Sequence, residues 1–225
     1  MRANPIPETP DQTNPDSGGV AEERLLETRV QKAANLRARG IDPYPARFKP
    51  TVTSIRAVAR LEAREAKLGE GAKTRSVTIA GRVMARRGMG KAAFLDIKDA
   101  DGKIQVHARQ DVLGADFAIL DDLDIGDIVG VKGPVFRTRR GEPSVEARSF
   151  TMLTKAVRGL PDKWAGLQDI EKRFRQRELD LITNDRSMAL VRTRSAIVSA
   201  IRRFMEKQGF IEVETPVMVN VAAGA

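Results

Sequence analysis

The spacing of apolar residues predicts helices in the N-terminal part of the chain. Across residues 20–39, apolar positions recur every three or four residues with charged residues between them, which is typical of an amphipathic helix. A second, shorter helix is predicted over 54–68, just before a glycine. Residues 1–19 are rich in Pro, Asn, Asp, Thr and Gly and are predicted to form a disordered tail. Residues 20–71 therefore form a predicted helical extension.

Between residues 76 and 152 the apolar positions alternate instead with polar ones, as in half-buried strands. The pattern predicts three strands, a short helix and two further strands, at 77–83, 93–97, 104–108, 111–121, 128–136 and 145–153. This is the order of a five-stranded OB-fold β-barrel, here assigned to 72–154. A β-rich module of another topology would produce the same pattern.

The remaining residues return to helical spacing. A proline-containing connector leads to a predicted helix over 168–182 and a longer one over 186–208, with a strand beginning at 210. We interpret 155–184 as a hinge, in which Trp164 packs between two domains, and 185–225 as the start of another domain. The predicted fold class is α+β.

Charge and composition narrow the possible partners. The 225 residues carry a formal net charge of +9, which favours nucleic acid over a membrane surface, although a basic surface without a specific ligand would look the same. With no cysteine and the single histidine His107, which is assigned no function, we expect no metal site and no disulfide. No apolar run is long enough for a membrane helix, so we expect a soluble cytoplasmic protein.

The predicted barrel carries side chains suited to single-stranded nucleic acid. Phe94 could stack a base, Gln105 could read a base edge, Arg86 and Arg87 lie where phosphates would pass, and Glu142 could accept from a base N–H. Three of these residues have a structural alternative: Phe94 could be a core ring, and the two arginines could belong to a solvated hairpin.

Four segments resemble the lysyl-tRNA synthetase family in order and spacing. RRGMGKAAFLDIKDADGKIQV (86–106) resembles the first hairpin of its anticodon-binding domain, and LDIGDIVGVKGPVFRTRRGE (123–142) resembles the fourth strand and the turn after it. LTKAVRGLPDKWAGLQDIEKRFRQRELDLI (153–182) is similar to its hinge, and RTRSAIVSAIRRFMEKQGFIEVETPVM (192–218) to class II motif 1. The resemblance covers nearly all of residues 20–225.

The resemblance implies a role for each barrel residue. Phe94 would stack the central uridine of the anticodon, Gln105 would read its edge, and Arg86 or Arg87 together with Glu142 would add contacts. The implied reaction joins lysine to tRNA(Lys) through lysyl-adenylate, with ATP and Mg²⁺. The family's motifs 2 and 3 are not found, so no catalytic residue is assigned, and we expect this chain to be an N-terminal fragment that is inactive alone.

The motif 1 match also implies a homodimer. Arg192, Ile201, Phe204 and Pro216 are assigned to its interface, and Gly224 to a loop that closes over the lysine substrate. Two alternatives stay open: a stand-alone tRNA-binding protein without catalytic activity, and a fragment of an aspartyl- or asparaginyl-type enzyme.

Three positions depart from the family pattern. Pro143 follows Glu142 where a leucine is usual, Glu178 stands where a tyrosine is typical, and His107 replaces a usual aromatic residue. The last change puts a second stacking partner in doubt.

Overall fold

The computed structural model describes residues 16–161, 167 and 169–216. They belong to two compact units that divide between Gly159 and Leu160. The predicted roles of Trp164 and Gly224 fall on residues outside the described ones, as does most of the predicted disordered tail. The predicted hinge begins at residue 155, whereas residues 155–159 belong to the first unit.

The N-terminal extension contains two helices, α1 (Asp16–Ala38) and α2 (Ser54–Leu68). Helix α1 begins at Asp16, within the segment predicted to form a disordered tail. Helix α2 has the predicted bounds, and Gly69 adopts a positive φ of 84° at its end. Its buried residues Ser54, Ala57 and Leu61 face the barrel, which explains the helical spacing in the sequence.

A residue from the barrel caps the first turn of α2. Thr53 makes no side-chain capping bond, and Asp99 in the turn before Gly102 performs this role instead. Its carboxylate accepts from the Ser54 N–H at 2.6 Å and from the Ser54 hydroxyl at 2.7 Å. It also accepts from the backbone N–H groups of Asp101 and Gly102, each at 2.9 Å. Burial raises the Asp99 pKa, but the four hydrogen bonds together lower it by more, so the pKa lies below its ordinary value.

We expect Asp99→Asn to destabilise the first unit by about 1.5–3 kcal/mol at pH 7, because four donors lose a charged acceptor. A lowered folded-state pKa stabilises the protein above the unfolded pKa of about 3.9, and that stabilisation is lost as pH falls through the folded pKa. Urea unfolding of both proteins should therefore show a difference in free energy that narrows below about pH 4. A constant difference down to pH 3 would contradict the role of the charge.

Seven strands form one sheet. They are β1 (Val77–Met89), β2 (Ala92–Lys98), β3 (Lys103–Arg109), β4 (Ile128–Gly133), β5 (Val135–Arg137), β6 (Pro143–Glu146) and β7 (Ser149–Thr154). Their order is β5-β6-β3-β2-β1-β4-β7, with β3 and β6 parallel and the other pairs antiparallel. The predicted fourth and fifth strands are each present as two shorter strands. Pro134 lies at one of these divisions, because proline has no N–H to donate to the ladder.

The sheet closes into a barrel because β4 leads directly into β5 and β6 leads through a short corner into β7. At the corner, the Arg148 N–H donates to the Lys132 carbonyl at 2.8 Å, and the Glu146 N–H donates to the Pro134 carbonyl at 2.9 Å. A Cβ on Gly133 would lie 1.8 Å from the Glu146 carbonyl oxygen, so only glycine fits there. The OB-fold prediction is confirmed.

The barrel interior is filled by aliphatic side chains from every other strand position. Fully buried examples are Val77, Ile79, Val83, Leu95, Ile97, Val106, Val129, Val131, Val145 and Met152. The short helix predicted between the third and fourth strands consists of α3 (Gln110–Leu113) and a 3₁₀ segment (Gly114–Asp122). Leu113, Ile119 and Leu120 pack from this connection onto the core.

A buried ionic cluster joins the end of β7 to the N-terminal extension. We call Lys155, Asp124, Asp127 and Lys32 the Lys155 cluster. The Lys155 side chain is 0% exposed, and its Nζ lies 2.6 Å from Asp124 Oδ2 and 2.9 Å from Asp127 Oδ2. Asp127 also accepts from the Ala156 N–H at 2.8 Å, and Lys32 on α1 binds Asp124 Oδ1 at 2.6 Å. The cluster fixes the chain where it leaves the barrel.

Helix α1 also binds the residues just after this cluster. Nη1 of the buried Arg29 donates to the carbonyls of Ala156 at 3.0 Å and Arg158 at 3.1 Å. The segment after α1 makes a similar contact, since the Tyr44 hydroxyl donates to the Lys155 carbonyl at 3.1 Å. The extension and the end of the barrel are thus one structural unit.

The second unit contains α4 (Ile170–Arg175), α5 (Arg177–Thr183) and α6 (Asp185–Lys207). The single helix predicted over 168–182 is interrupted at Gln176. The break accompanies a buried Asp180, which binds Arg173 at 2.9 Å and Arg177 at 2.6 Å. These partners are tertiary contacts, so apolar spacing alone did not reveal the break.

The strand predicted from residue 210 is not formed. Residues 210–216 have no regular secondary structure, and no described strand pairs with them. Arg202 on α6 binds Glu212 in this segment at 2.9 Å. Because a strand requires a partner for its backbone N–H and C=O groups, the apolar pattern was not sufficient to predict one here.

Candidate nucleic-acid interface

Phe94 lies on the outer face of the barrel. In β2, Ala93, Leu95 and Ile97 are buried, and Phe94 alternates with them as a half-buried residue facing outward. The alternative of a core ring is therefore excluded by the alternation of the strand.

An aromatic row crosses this outer face. The Phe94 and His107 rings are parallel within 3°, with centroids 4.4 Å apart, because the two residues pair directly between β2 and β3. Phe136 of β5 follows, with its centroid 6.0 Å from that of His107 and its plane tilted by 39°. We call Phe94, His107 and Phe136 the aromatic row. Aromatic rings on the outer face of an OB-fold can stack nucleic-acid bases on those ring faces that remain open.

Two members of the row were missed by sequence reasoning. His107 was assigned no function, and its departure from the family pattern put a stacking partner in doubt; the structure places it directly against Phe94. Phe136 was counted only as an apolar strand residue. The sequence does contain an indication of the position of His107. It stands two residues after Gln105 in the same strand, so the two side chains lie on the same face of the sheet.

The environment of His107 disfavours its charged form. Burial and then the nearby Arg109 lower the His107 pKa, and these effects outweigh the opposing influence of Glu146 and Asp111. The imidazole is therefore neutral at pH 7 and behaves in the row as an aromatic ring with one N–H donor and one acceptor.

Gln105 lies beside this row, and a hydrogen bond holds the oxygen of its side-chain amide. It pairs with Asp96 across β2–β3 and with Ser144 across the parallel β3–β6 pair. The buried Ser144 hydroxyl donates to Gln105 Oε1 at 2.9 Å. This bond orients the side chain and keeps its amide nitrogen, with two N–H donors, for another acceptor.

The structure separates the two candidate arginines. Arg87 pairs with Phe94 between β1 and β2, so both side chains share the outer face, and its Nη2 lies 2.8 Å from Asp96 Oδ1. Arg86 pairs with Leu95, a core residue, and its Nη1 donates to the Leu123 carbonyl at 3.0 Å. Only Arg87 is brought to the aromatic row.

Glu142 lies in the exposed turn between β5 and β6. Its backbone N–H donates to the Thr138 hydroxyl at 3.1 Å, and its carbonyl accepts from the Thr138 N–H at 3.0 Å. The Ser144 hydroxyl is also 3.3 Å from the Glu142 carbonyl. The turn is thus tied to the strand residue that holds Gln105, while the Glu142 carboxylate faces solvent.

The predicted dimer residues are only partly brought together. On α6, Ile197, Ile201 and Phe204 share one face and are 55%, 57% and 61% exposed. At about 100° per residue, Arg192 projects from the opposite side of that helix. Pro216 is exposed in the segment that follows α6.

The described part of the chain contains neither a membrane-spanning helix nor a metal-binding cluster. None of the helices between residues 16 and 216 is both long and apolar enough to cross a membrane. The described His, Asp and Glu side chains form no group of three or more that could hold a metal ion.

Comparison with known proteins agrees with this geometry. Residues 77–153 match the family described as OB-fold nucleic acid binding domain, and residues 169–225 match tRNA synthetases class II (D, K and N). A lysine–tRNA ligase of Dehalococcoides mccartyi (strain 195) is 49% identical over 207 residues, covering 92% of this chain and 41% of that protein. The enzymes of Bacillus subtilis and Bacillus cytotoxicus are 47% and 46% identical, each covering 89% of the chain and 40% of the relative. The chain thus spans about two fifths of these relatives.

Proposed function

Because this chain belongs to the class II lysine–tRNA ligases and matches the N-terminal portion of its relatives, we propose that its barrel binds the anticodon loop of tRNA(Lys). The observation that carries the proposal is the parallel stack of Phe94 on His107, 4.4 Å apart on the outer face of an OB-fold. A base-binding barrel needs such an exposed ring surface beside positive charge.

The stack determines which ring surface is open to a base. A separation of 4.4 Å leaves no room for a base between Phe94 and His107, so the base uses the other face of Phe94. That face is turned towards β1, where Arg87 is the direct cross-strand neighbour. Arg87 can then contact the phosphate, while the Gln105 amide donates to the uracil carbonyl.

Glu142 supports the proposal at a neighbouring base. Its carboxylate lies in the turn that follows Phe136, and it can accept from the N–H of a second anticodon base. Arg86 is not included in the binding surface, because it faces away from the aromatic row.

In the complete protein we propose the family reaction, in which lysine and ATP form lysyl-adenylate and lysine is transferred to tRNA(Lys) in the cytoplasm. ATP with Mg²⁺ would supply the activation of the carboxylate. The described acidic residues form no group able to hold that metal, so no step is assigned to them. The exposed apolar face of α6, which includes Ile201 and Phe204, would pack against a second copy in a homodimer.

Replacing one base in an anticodon stem–loop tests the proposal. We expect the stem–loop with a UUU anticodon to bind about 5- to 100-fold more tightly than one whose central uridine is replaced by cytidine, because Gln105 would lose a matched edge. Fluorescence anisotropy at fixed salt measures both affinities. Preference for an aspartate or asparagine anticodon would identify the other class II branch, and equal binding of all loops would contradict anticodon recognition.

A further inference from the structure

Helix α2 carries a row of four cations on one flank. The helix buries Ser54, Ala57 and Leu61 against the barrel. At about 100° per residue, the exposed side chains of Arg56, Arg60, Arg64 and Lys67 fall within an arc of about 80° beside that buried face. We call these four residues the α2 basic row.

The row has no acidic neighbours along the helix. The positions three and four residues from Arg60 are Arg56, Ala57, Ala63 and Arg64, so they are all alanine or arginine. Those around Arg64 are Arg60, Leu61, Lys67 and Leu68. Like charges four residues apart destabilise a helix by about 0.2–0.5 kcal/mol per pair, so this arrangement opposes helix stability.

The acids of α2 are placed elsewhere. Glu65 is engaged with Arg137 of β5, at 2.8 Å and 3.0 Å, and this hydrogen bonding lowers the Glu65 pKa. Glu62 projects from the opposite flank, about 160° from Arg60 at the helical repeat. The helix therefore separates its charges by side, instead of pairing them as a solvated helix does.

Helix α2 is bound at both ends to barrel residues that adjoin the outer face. The N-terminus of α2 is bound to Asp99, in the turn where β2 ends and β3 begins, and its last turns are bound to Arg137 of β5. Gln105 follows this turn by only a few residues, and Phe136 precedes Arg137. The α2 basic row is therefore within reach of an RNA backbone that continues from a loop on the aromatic row.

We propose that the α2 basic row binds the phosphate backbone of the same RNA outside the anticodon loop, on its stem. This inference rests on the proposed function of the barrel. Three of the four cations are arginine, whose planar guanidinium forms paired hydrogen bonds with phosphate. Their spacing along a rigid helix suits a regular row of phosphates better than a single small anion.

The burial of α2 argues against a membrane as the anionic partner. A helix that lies on a membrane inserts an apolar face beside its basic residues. Here Ala57 and Leu61 already pack in the barrel core. The exposed apolar residues Ile55 and Leu68 lie at opposite ends of the helix.

The test compares two RNAs and two triple variants of the full chain. The first variant, R56Q/R60Q/R64Q, removes three cations of the row; the second, R24Q/K172Q/R203Q, removes three exposed cations from α1, α4 and α6. We expect the first to bind the anticodon stem–loop about 3- to 100-fold more weakly and to reduce the slope of log K against log salt by about 2–3. The second should change neither quantity substantially, and circular dichroism should show both variants folded.

A single-stranded oligonucleotide of the loop alone separates this inference from the proposed function. We expect R56Q/R60Q/R64Q to bind it like the unmodified chain. An unchanged salt slope with the stem–loop, an equal loss in both triple variants, or an equal loss for the loop oligonucleotide would overturn the proposal. Failure of the unmodified chain to bind either RNA would instead overturn the proposed function. Binding to phosphatidylserine vesicles that the row variant abolishes, without any effect on RNA, would identify a membrane partner and also overturn it.

Discussion

Replacing Lys155 by methionine is expected to destabilise the first unit by about 3–5 kcal/mol, measured by urea unfolding at pH 7. The substitution keeps a long apolar stem and removes the cation that lies 2.9 Å from the 0% exposed Asp127 and 2.6 Å from Asp124. Two carboxylates are then left in a site with little water. The cost comes mainly from the uncompensated charges, because the pair itself contributes little beyond its own desolvation.

The pH dependence should identify this cause. In the unmodified chain, burial raises the Asp124 pKa, but hydrogen bonds from Lys155 and Lys32 lower it more. Without Lys155, Asp124 loses the hydrogen bond that lowers its pKa most, while burial still raises that pKa. The part of the stability deficit that comes from this carboxylate should therefore shrink as the pH falls towards and below the unfolded pKa of about 3.9. If the loss in free energy of unfolding did not depend on pH, it would indicate lost packing instead of uncompensated charge.

Two further variants complete this experiment. Lys32→Met removes a 24% exposed lysine from the same Asp124 and should cost no more than about 1 kcal/mol. The double variant K155M/D127N removes both charges of the buried pair but keeps an amide oxygen for the Ala156 N–H, and it should recover part of the loss of Lys155→Met. A double variant less stable than the single one would contradict the account based on uncompensated charge.

The second large effect is expected for RNA binding. Phe94→Ala should weaken binding of the anticodon stem–loop by about 1–3 kcal/mol, or roughly 5- to 150-fold, because it removes the ring on which the central base stacks. The loss should persist at high salt, since stacking involves no release of counterions. Its barrel should stay folded because Phe94 lies outside the core. Fluorescence anisotropy across a salt series measures both quantities.

Matched variants distinguish the effect of the aromatic ring at position 94 from that of side-chain size. Phe94→Tyr keeps an aromatic face and should bind within a few-fold of the unmodified chain, whereas Phe94→Leu should resemble alanine. Phe174→Ala removes a 71% exposed ring from α4, outside the barrel, and should leave the affinity unchanged. If Phe94→Ala binds normally while folded, Phe94 does not stack a base.

The sequence was most informative where local signals determine structure. The bounds of α2 were predicted correctly, because an apolar face of regular spacing is followed by Gly69. The barrel strands were predicted from alternation, and the outward position of Phe94 follows from the same rule. These features depend on residues close together in the chain.

The sequence was less informative where contacts between residues far apart in the chain determine the structure. Gln176 interrupts a helix because the two sides of the break share Asp180, and residues 210–213 lack the partner strand that their apolar pattern would need. The Phe94–His107 stack depends on the exact register of β2 and β3, which periodicity does not supply. Similarly, an irregularity in the register of β1 between Val83 and Ala85 shifts the alternation, so periodicity alone did not show which of Arg86 and Arg87 shares a face with Phe94.

The contacts of α1 with the end of the barrel have a consequence for the order of folding during synthesis. Arg29 binds carbonyls that follow it by 127 and 129 residues. At roughly 5–20 residues per second, about 6–25 s pass between the emergence of α1 from the ribosome and that of its partners. During this interval the apolar side of α1 has no docking surface. The barrel therefore has to be translated completely before α1 can take its place.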